Sequence, residues 1–286
     1  MRLVPKEEAA RIVGNSAAHR TAHLTTASDM YDFNMQAVGA DGASVPVTTF
    51  AEPLTIAFQV DPNADPDLLG IYYIAEDGSL KYVGGTLADG IITAKIHLLG
   101  KYTVLEYNKT FADVGESHWA MEAIKKLAAK HIIEGVDATR FDPQGNVTRA
   151  QFAAMLARAL GLTAAGSMTF TDVDPDAWYV EAIAKASSAG IVLGRDSSTF
   201  APNAVITREE MAVMIVRAYK YLHGAEAAAA NSSSFSDTDR IQAWARDAVG
   251  AAQAWELIRG RGNNLFAPKE TMTRAESAQV ISNLLD

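Results

Sequence analysis

The sequence predicts an α+β chain: an N-terminal antiparallel β-sandwich-like domain, then three helical repeats closing into a pseudo-threefold bundle. Three observations predict it. Apolar and polar residues alternate with period two through residues 1–109, helical periodicity takes over from Phe111, and one set of landmarks then recurs three times. The expected divisions are 1–109 for the β-rich part and 110–164, 165–230 and 231–286 for the repeats.

In the first part, a short polar lead precedes Met30–Gln36 and Leu54–Val60, both alternating as half-buried strands do. Gly70–Ile74 and Leu80–Val83 flank Glu76-Asp77-Gly78-Ser79, a hairpin signal. Asp89-Gly90 turns into Ile91–Leu98, and Tyr102–Tyr107 closes a series of about six to eight short strands, the pattern of a small sandwich. His19 and His23 are four apart and would share a helix face, but no third ligand follows at metal spacing, so no metal is expected.

The repeat is carried by Phe111-Ala112-Asp113-Val114, Phe170-Thr171-Asp172-Val173 and Phe235-Ser236-Asp237-Thr238. Trp119, Trp178 and Trp244 follow, then Gly135, Gly194 and Gly260, then Phe141, Phe200 and Phe266 with Pro143, Pro202 and Pro268. Trp119 to Trp178, Phe141 to Phe200 and Arg149 to Arg208 are each 59 apart; the same landmarks of the second and third copies are 66 apart. The insert Ala225–Ser234, of linker composition, accounts for most of the difference.

Each unit reads as two helices. In the first, Trp119, Ala123, Ile124, Leu127, Ala128 and His131 share one face, with Gly135 placed as a left-handed C-cap; the second helix buries Phe152, Met155, Leu156, Ala159 and Leu160. One such pair has too little core to stand alone, so three are expected to converge their second helices on a common axis.

Each second helix opens on one motif: Thr148-Arg149-Ala150-Gln151, Thr207-Arg208-Glu209-Glu210 and Thr273-Arg274-Ala275-Glu276. Its core is a capping box, in which threonine accepts from the third helical N–H while Gln or Glu reaches back. Arginine at the first helical position opposes the helix dipole by about 0.3–1 kcal/mol. Three arginines in one register imply a recurrent task, and holding an anion beside the helix N-termini is the expected one.

Composition narrows the partners. A net charge of −9 over 286 residues argues against nucleic acid, whose phosphates need a basic face, and the absence of cysteine excludes disulfides and thiolate metal sites. Met1–Glu8 has no apolar h-region, and no run reaches the roughly 18 apolar residues of a spanning helix. The chain is thus expected to be cytosolic or a piece of a longer secreted protein. No catalytic constellation or cofactor motif stands out.

Phe-x-Asp-Val with its Trp, Gly190-Ile191-Val192-Leu193-Gly194, Phe-x-Pro and Ile206-Thr207-Arg208-Glu209-Glu210 together resemble the S-layer homology domain, over residues 111–286. The resemblance implies a three-pronged, monomeric assembly that anchors a protein non-covalently to bacterial cell-wall glycan at the cell surface, with grooves between units. It also implies a secondary wall polysaccharide bearing pyruvylated N-acetylmannosamine, whose carboxylate Arg149, Arg208 and Arg274 would meet. Trp119, Trp178 and Trp244 would offer flat faces to sugar rings, and Asp113, Asp172 and Asp237 would accept from sugar hydroxyls or from the arginines. The helix N-termini would add backbone donors.

The copies differ. Unit one carries Glu134 where an acid would repel an anionic sugar, whereas Arg195 and, in unit three, Arg261 add positive charge. The groove of Arg208, with Trp178 and Asp172 of its own unit, is expected to bind best and the Glu134 side worst. The alternative function is the tether region of a larger surface enzyme, a glycan hydrolase, whose catalytic domain lies upstream.

Overall fold

The computed structural model describes residues 1–164, 166, 168–224 and 233–286, so most of the linker-like insert lies outside the described residues. Two compact units are present: residues 1–112 with 125–140, and residues 113–124 with 141–286.

The first unit is built on strands β1 (Arg2–Leu3), β2 (His23–Thr26), β3 (Tyr31–Phe33), β4 (Met35–Val38), β5 (Ser44–Val47), β6 (Thr49–Gln59), β7 (Leu69–Ile74), β8 (Leu80–Gly84), β9 (Thr86–Ala88), β10 (Ile91–Leu98) and β11 (Gly100–Asn108). All pairings are antiparallel. One sheet runs β1-β3-β11-β7-β8, with β2 also on β11; a second runs β6-β10-β9; β4 and β5 form a separate hairpin. Ile56, Phe58, Ile71, Ile92, Tyr102 and Val104 fill the space between the two larger sheets, the buried half of the alternating pattern. Each such side chain contributes about 1.5–3 kcal/mol. The region is therefore antiparallel β, as the period-two pattern predicts.

The expected polar lead is in fact a helix, α1 (Lys6–Asn15), which lays Ala9 and Val13 against Tyr72, Ile74 and Leu105 on the outer face of the first sheet. Only a few apolar residues make that contact, so the segment reads as polar. Met30–Gln36, expected as one strand, is split at Asn34 between β3 and β4, which pair in different sheets. His19 lies in a 3-10 turn and His23 in β2, so they share no helix face.

The repeats supply helices α2 (Met121–Ala129), α3 (Arg149–Ala159), α4 (Val180–Ser188), α5 (Arg208–His223), α6 (Ala243–Ala254) and α7 (Arg274–Leu285). Three of them, α3, α5 and α7, open with complete capping boxes and touch one another pairwise. Just before these helices the backbone forms a ring: Val147 N–H donates to Met272 O at 3.1 Å, Met272 N–H to Ile206 O at 3.1 Å, and Ile206 N–H to Val147 O at 2.9 Å. All three side chains are fully buried. Each repeat thus supplies one donor and one acceptor to a closed three-way junction.

Gly135, Gly194 and Gly260 are not helix caps. The left-handed residue after the first helix of each repeat is His131, Gly190 or Glu256, with φ of 52°, 71° and 57°. The conserved-register glycines instead make room: a Cβ on Gly194 would come within 2.7 Å of the Phe170 ring and 2.3 Å of the Asp196 carbonyl.

Candidate functional site

The first N–H groups of α3, α5 and α7 are engaged within the protein. Arg149 N–H donates to Ala204 O and Ala150 N–H to Pro202 O; Arg208 and Glu209 do the same to Glu270 and Pro268, and Arg274 and Ala275 to Gly145 and Pro143. The third N–H goes to the capping threonine. The expected backbone donors for a ligand are therefore already satisfied, because the Phe-x-Pro loop of another repeat is docked onto each helix start.

The same docking accounts for the aspartates and the arginines. Asp113 accepts from Phe141 and Asp142 N–H at 2.8 and 2.7 Å, Asp172 from Phe200 and Ala201 at 2.8 and 2.7 Å, and Asp237 from Phe266 and Ala267 at 2.7 and 2.8 Å. Each carboxylate holds its own repeat's loop in a turn whose second residue, Asp142, Ala201 or Ala267, is left-handed. Onto that turn the next arginine is clamped. Arg149 Nε donates to Phe200 O at 2.8 Å, Arg208 Nε to Phe266 O at 2.6 Å and Arg274 Nε to Phe141 O at 2.7 Å. Each guanidinium also lies over the phenylalanine ring, at 4.8, 5.1 and 4.5 Å from its centroid.

Arg149 and Arg208 are 3% and 4% exposed. Arg149 adds a bond to Leu193 O and an ion pair with Glu210 at 3.0 Å; Arg208 adds one to Arg259 O and an ion pair with Glu276 at 3.2 Å. Burial pushes the Arg208 guanidinium down to about 10, opposed by the charge of Glu276 and assisted by that of Arg261, so it stays charged at neutral pH.

Two clefts open over these arginines. One, of about 420 Å³, has Arg149 and Glu210 at its floor, the loop Leu193-Gly194-Arg195 on one side, Arg217 on the α5 wall and Trp244 opposite. The other, of about 380 Å³, repeats the plan with Arg208, Glu276, the loop Arg259-Gly260-Arg261, Asn283 and Trp119. Each cleft takes one element from each repeat and sets three arginines against one glutamate, in a chain whose net charge is −9. Arg195 reaches Glu210 at 3.1 Å, and Arg261 grips Glu276 bidentately at 2.8 and 2.7 Å.

The tryptophans are exposed: Trp119 by 58%, Trp178 by 62% and Trp244 by 57%. Their place on the helical face was not reason enough to bury them, since Ala123, Ile124 and Leu127 already complete that contact in the first repeat. Arg208 shares its cleft with Trp119 rather than with Trp178 and Asp172, because the arginine crosses to the neighbouring repeat's loop. Sequence reasoning missed Glu210 and Glu276 as cleft members. Their capping role was plain, but their second oxygen is free for an arginine of another repeat only in the folded chain.

Comparison with known proteins identifies both parts of the chain. The S-layer homology domain model matches residues 110–153, 169–212 and 234–278, and the Zu5-like domain model matches residues 21–106. An amylopullulanase of Thermoanaerobacterium thermosulfurigenes is 38% identical over 83% of this chain and 13% of its own length. An endoglucanase of Bacillus sp. (strain KSM-635) is 43% identical over 61% of this chain and 18% of its own. The surface-layer 125 kDa protein of Lysinibacillus sphaericus is 34% identical over 59% and 14%. The chain thus spans less than a fifth of the length of each of these relatives. Residues 110–278 carry three S-layer homology domains, preceded by a Zu5-like domain.

Proposed function

We propose that the repeats form a non-catalytic anchor that binds an anionic cell-wall polysaccharide at the bacterial surface. The observation that carries this is the pair of clefts, each joining an exposed indole to a partly buried cluster of three arginines and one glutamate. Such a cluster favours an anion, and an aromatic face beside it suits a sugar ring. A ketal carboxylate, as on pyruvylated N-acetylmannosamine, fits both requirements. The cyclic contacts among α3, α5 and α7 support a three-pronged, monomeric arrangement of the repeats, with domain limits at about residues 109, 164 and 230. In this reading Arg149, Arg208 and Arg274 set the positive floor while clamping neighbouring repeats; Asp113, Asp172 and Asp237 shape the loops; and Trp119, Trp178 and Trp244 meet sugar.

The relatives favour a second, compatible reading of the whole protein. An amylopullulanase and an endoglucanase, each several times longer than this chain, match it alongside a surface-layer protein. The chain would then be the tether of a surface glycan hydrolase rather than of a surface-layer subunit.

The test is titration of the full chain with purified wall polysaccharide before and after removal of its pyruvyl groups. Loss of the carboxylate is expected to weaken binding about ten- to a hundredfold, the worth of a charge-assisted hydrogen bond. Equal affinity for both polymers would remove the anion reading and leave sugar stacking alone.

A further inference from the structure

The two clefts follow one plan but differ in charge at two corresponding positions. On the helix wall, α5 carries Arg217 where α7 carries Asn283; in the loop, the second repeat carries Leu193 where the third carries Arg259. Arg259 is exposed, so its charge is screened by water and salt. Arg217 is half-buried, and burial pulls its guanidinium below the ordinary value with no neighbouring charge opposing it. Among the described residues it has no hydrogen-bond or ion-pair partner. A partly desolvated guanidinium facing a cleft without an acceptor is a standing cost that an incoming anion would relieve.

The helix sets where the Arg217 backbone stands relative to the floor. Glu210, which gathers Arg149 and Arg195, lies seven residues before Arg217 on α5, so the two are on one face about 10 Å apart along the axis. Asn283 cannot do the same work: its amide is spent on Gln279, whose side chain donates to it at 2.8 Å, and on Leu257 O, to which it donates at 3.1 Å.

We infer that the Trp244 cleft holds two separate anion positions, one at the Arg149–Arg195 floor and one at Arg217, and selects glycan segments with acidic groups on two different sugar residues. The Trp119 cleft has the floor position alone. This rests on the clefts binding anionic glycan, and it adds the charge spacing that each would read. The residues that set the two positions are about two helical turns apart, more than the span of one sugar ring, so in this inference the Trp244 cleft reads acids on neighbouring sugars of the polymer.

The test uses the full chain and two synthetic wall-type oligosaccharides, one with a single pyruvyl ketal and one with a second carboxylate on the neighbouring residue. Three variants exchange the differing residues: Arg217→Asn, Asn283→Arg and Arg259→Leu. The unaltered chain is expected to prefer the doubly charged ligand by about tenfold or more at one site, as removal of a charged hydrogen bond implies. Arg217→Asn is expected to abolish that preference, so that the doubly charged ligand binds no tighter than the singly charged one. Asn283→Arg is expected to bring the preference to a second site, and Arg259→Leu to change it less than twofold. A preference that survives Arg217→Asn, or no preference while both ligands bind, overturns the inference and leaves the anchor reading standing. Binding of neither ligand overturns the anchor reading itself.

Discussion

Arg208 and Glu276, 68 residues apart in the chain, form an ion pair at 3.2 Å, and Arg261 closes on the same carboxylate through two shorter bonds. Burial alone would raise the Glu276 carboxyl; the bonds from Arg261 and Thr273 N–H, with the charges of both arginines, hold it below its ordinary value instead. Replacement by Gln keeps the capping box, since Gln151 serves the same place in α3, but removes the charge shared by two arginines. Glu276→Gln is expected to cost about 2–4 kcal/mol in urea unfolding. Glu210→Gln should cost less, because the Arg195 bonds are longer, at 3.3 and 3.1 Å.

Removing Asp172 probes the turn. Its two oxygens are the acceptors for Phe200 and Ala201 N–H, which hold the loop against Arg149. Asp172→Ala is expected to lower stability by about 2–4 kcal/mol through two lost charge-assisted bonds, and Asp172→Asn by less. Ala201 has φ 60°, so Ala201→Gly should instead stabilise by up to about 1 kcal/mol. Thermal and urea unfolding of the three variants decide; unchanged midpoints would show that the turn holds without the carboxylate.

These roles mark where the sequence was legible. The capping boxes were readable because Thr and Gln or Glu satisfy groups three residues away, inside one helix turn. The β strands were readable from alternation, except where pairing rather than pattern decided, as in the split at Asn34 and the short strands β1, β2, β5 and β9. The partners of Arg149 and Arg208 were not readable. They lie 44 to 68 residues away, and nothing local to an arginine tells whether its acceptor is a sugar or another repeat's carbonyl. The recurrent role that the structure gives the regularly placed arginines is the joining of the repeats.

Because the tryptophans are more than half exposed, their loss should separate binding from folding. Trp119→Ala and Trp244→Ala are each expected to shift the melting temperature by less than about 2 °C, as surface changes within roughly 0.5 kcal/mol do. Each should weaken binding of wall polysaccharide severalfold, and the double variant by more. Unaltered binding by the double variant would place the sugar elsewhere.

The ring of Val147, Ile206 and Met272 makes each repeat depend on the other two. A piece containing residues 169–286 lacks Val147 and the Gly145 and Pro143 carbonyls that receive the start of α7. It is expected to lose cooperative unfolding in circular dichroism, while the full chain sediments as a monomer. A folded two-repeat piece, or a stable trimer of the full chain, would contradict closure within one chain.

The last prediction concerns His131, which ends α2 in a left-handed conformation and places Nε2 2.9 Å from the hydroxyl of Tyr72. The rings of Tyr72, Tyr82 and Tyr107 surround the imidazole at 5.8, 4.8 and 4.8 Å. Burial pulls the imidazole below its ordinary value of 6.5, and the charge of Glu134 opposes that only in part. Tyr72 and Tyr82 stay neutral across the range: burial pushes Tyr82 up to about 12 and Tyr72 higher still. The folded state therefore holds fewer protons than the unfolded chain between the depressed value and 6.5. Stability from this site is complete above about pH 6.5 and is lost as the pH falls through the depressed value. His131→Asn suits the left-handed backbone and removes the titration, at the cost of the bond to Tyr72. Carboxylates titrate in both proteins, so the difference between them is the readout. The gap in urea midpoint is expected to be widest at pH 7.5 and to shrink as the solution is acidified below pH 6. Parallel curves across that range would mean that His131 binds its proton equally in the folded and unfolded chains.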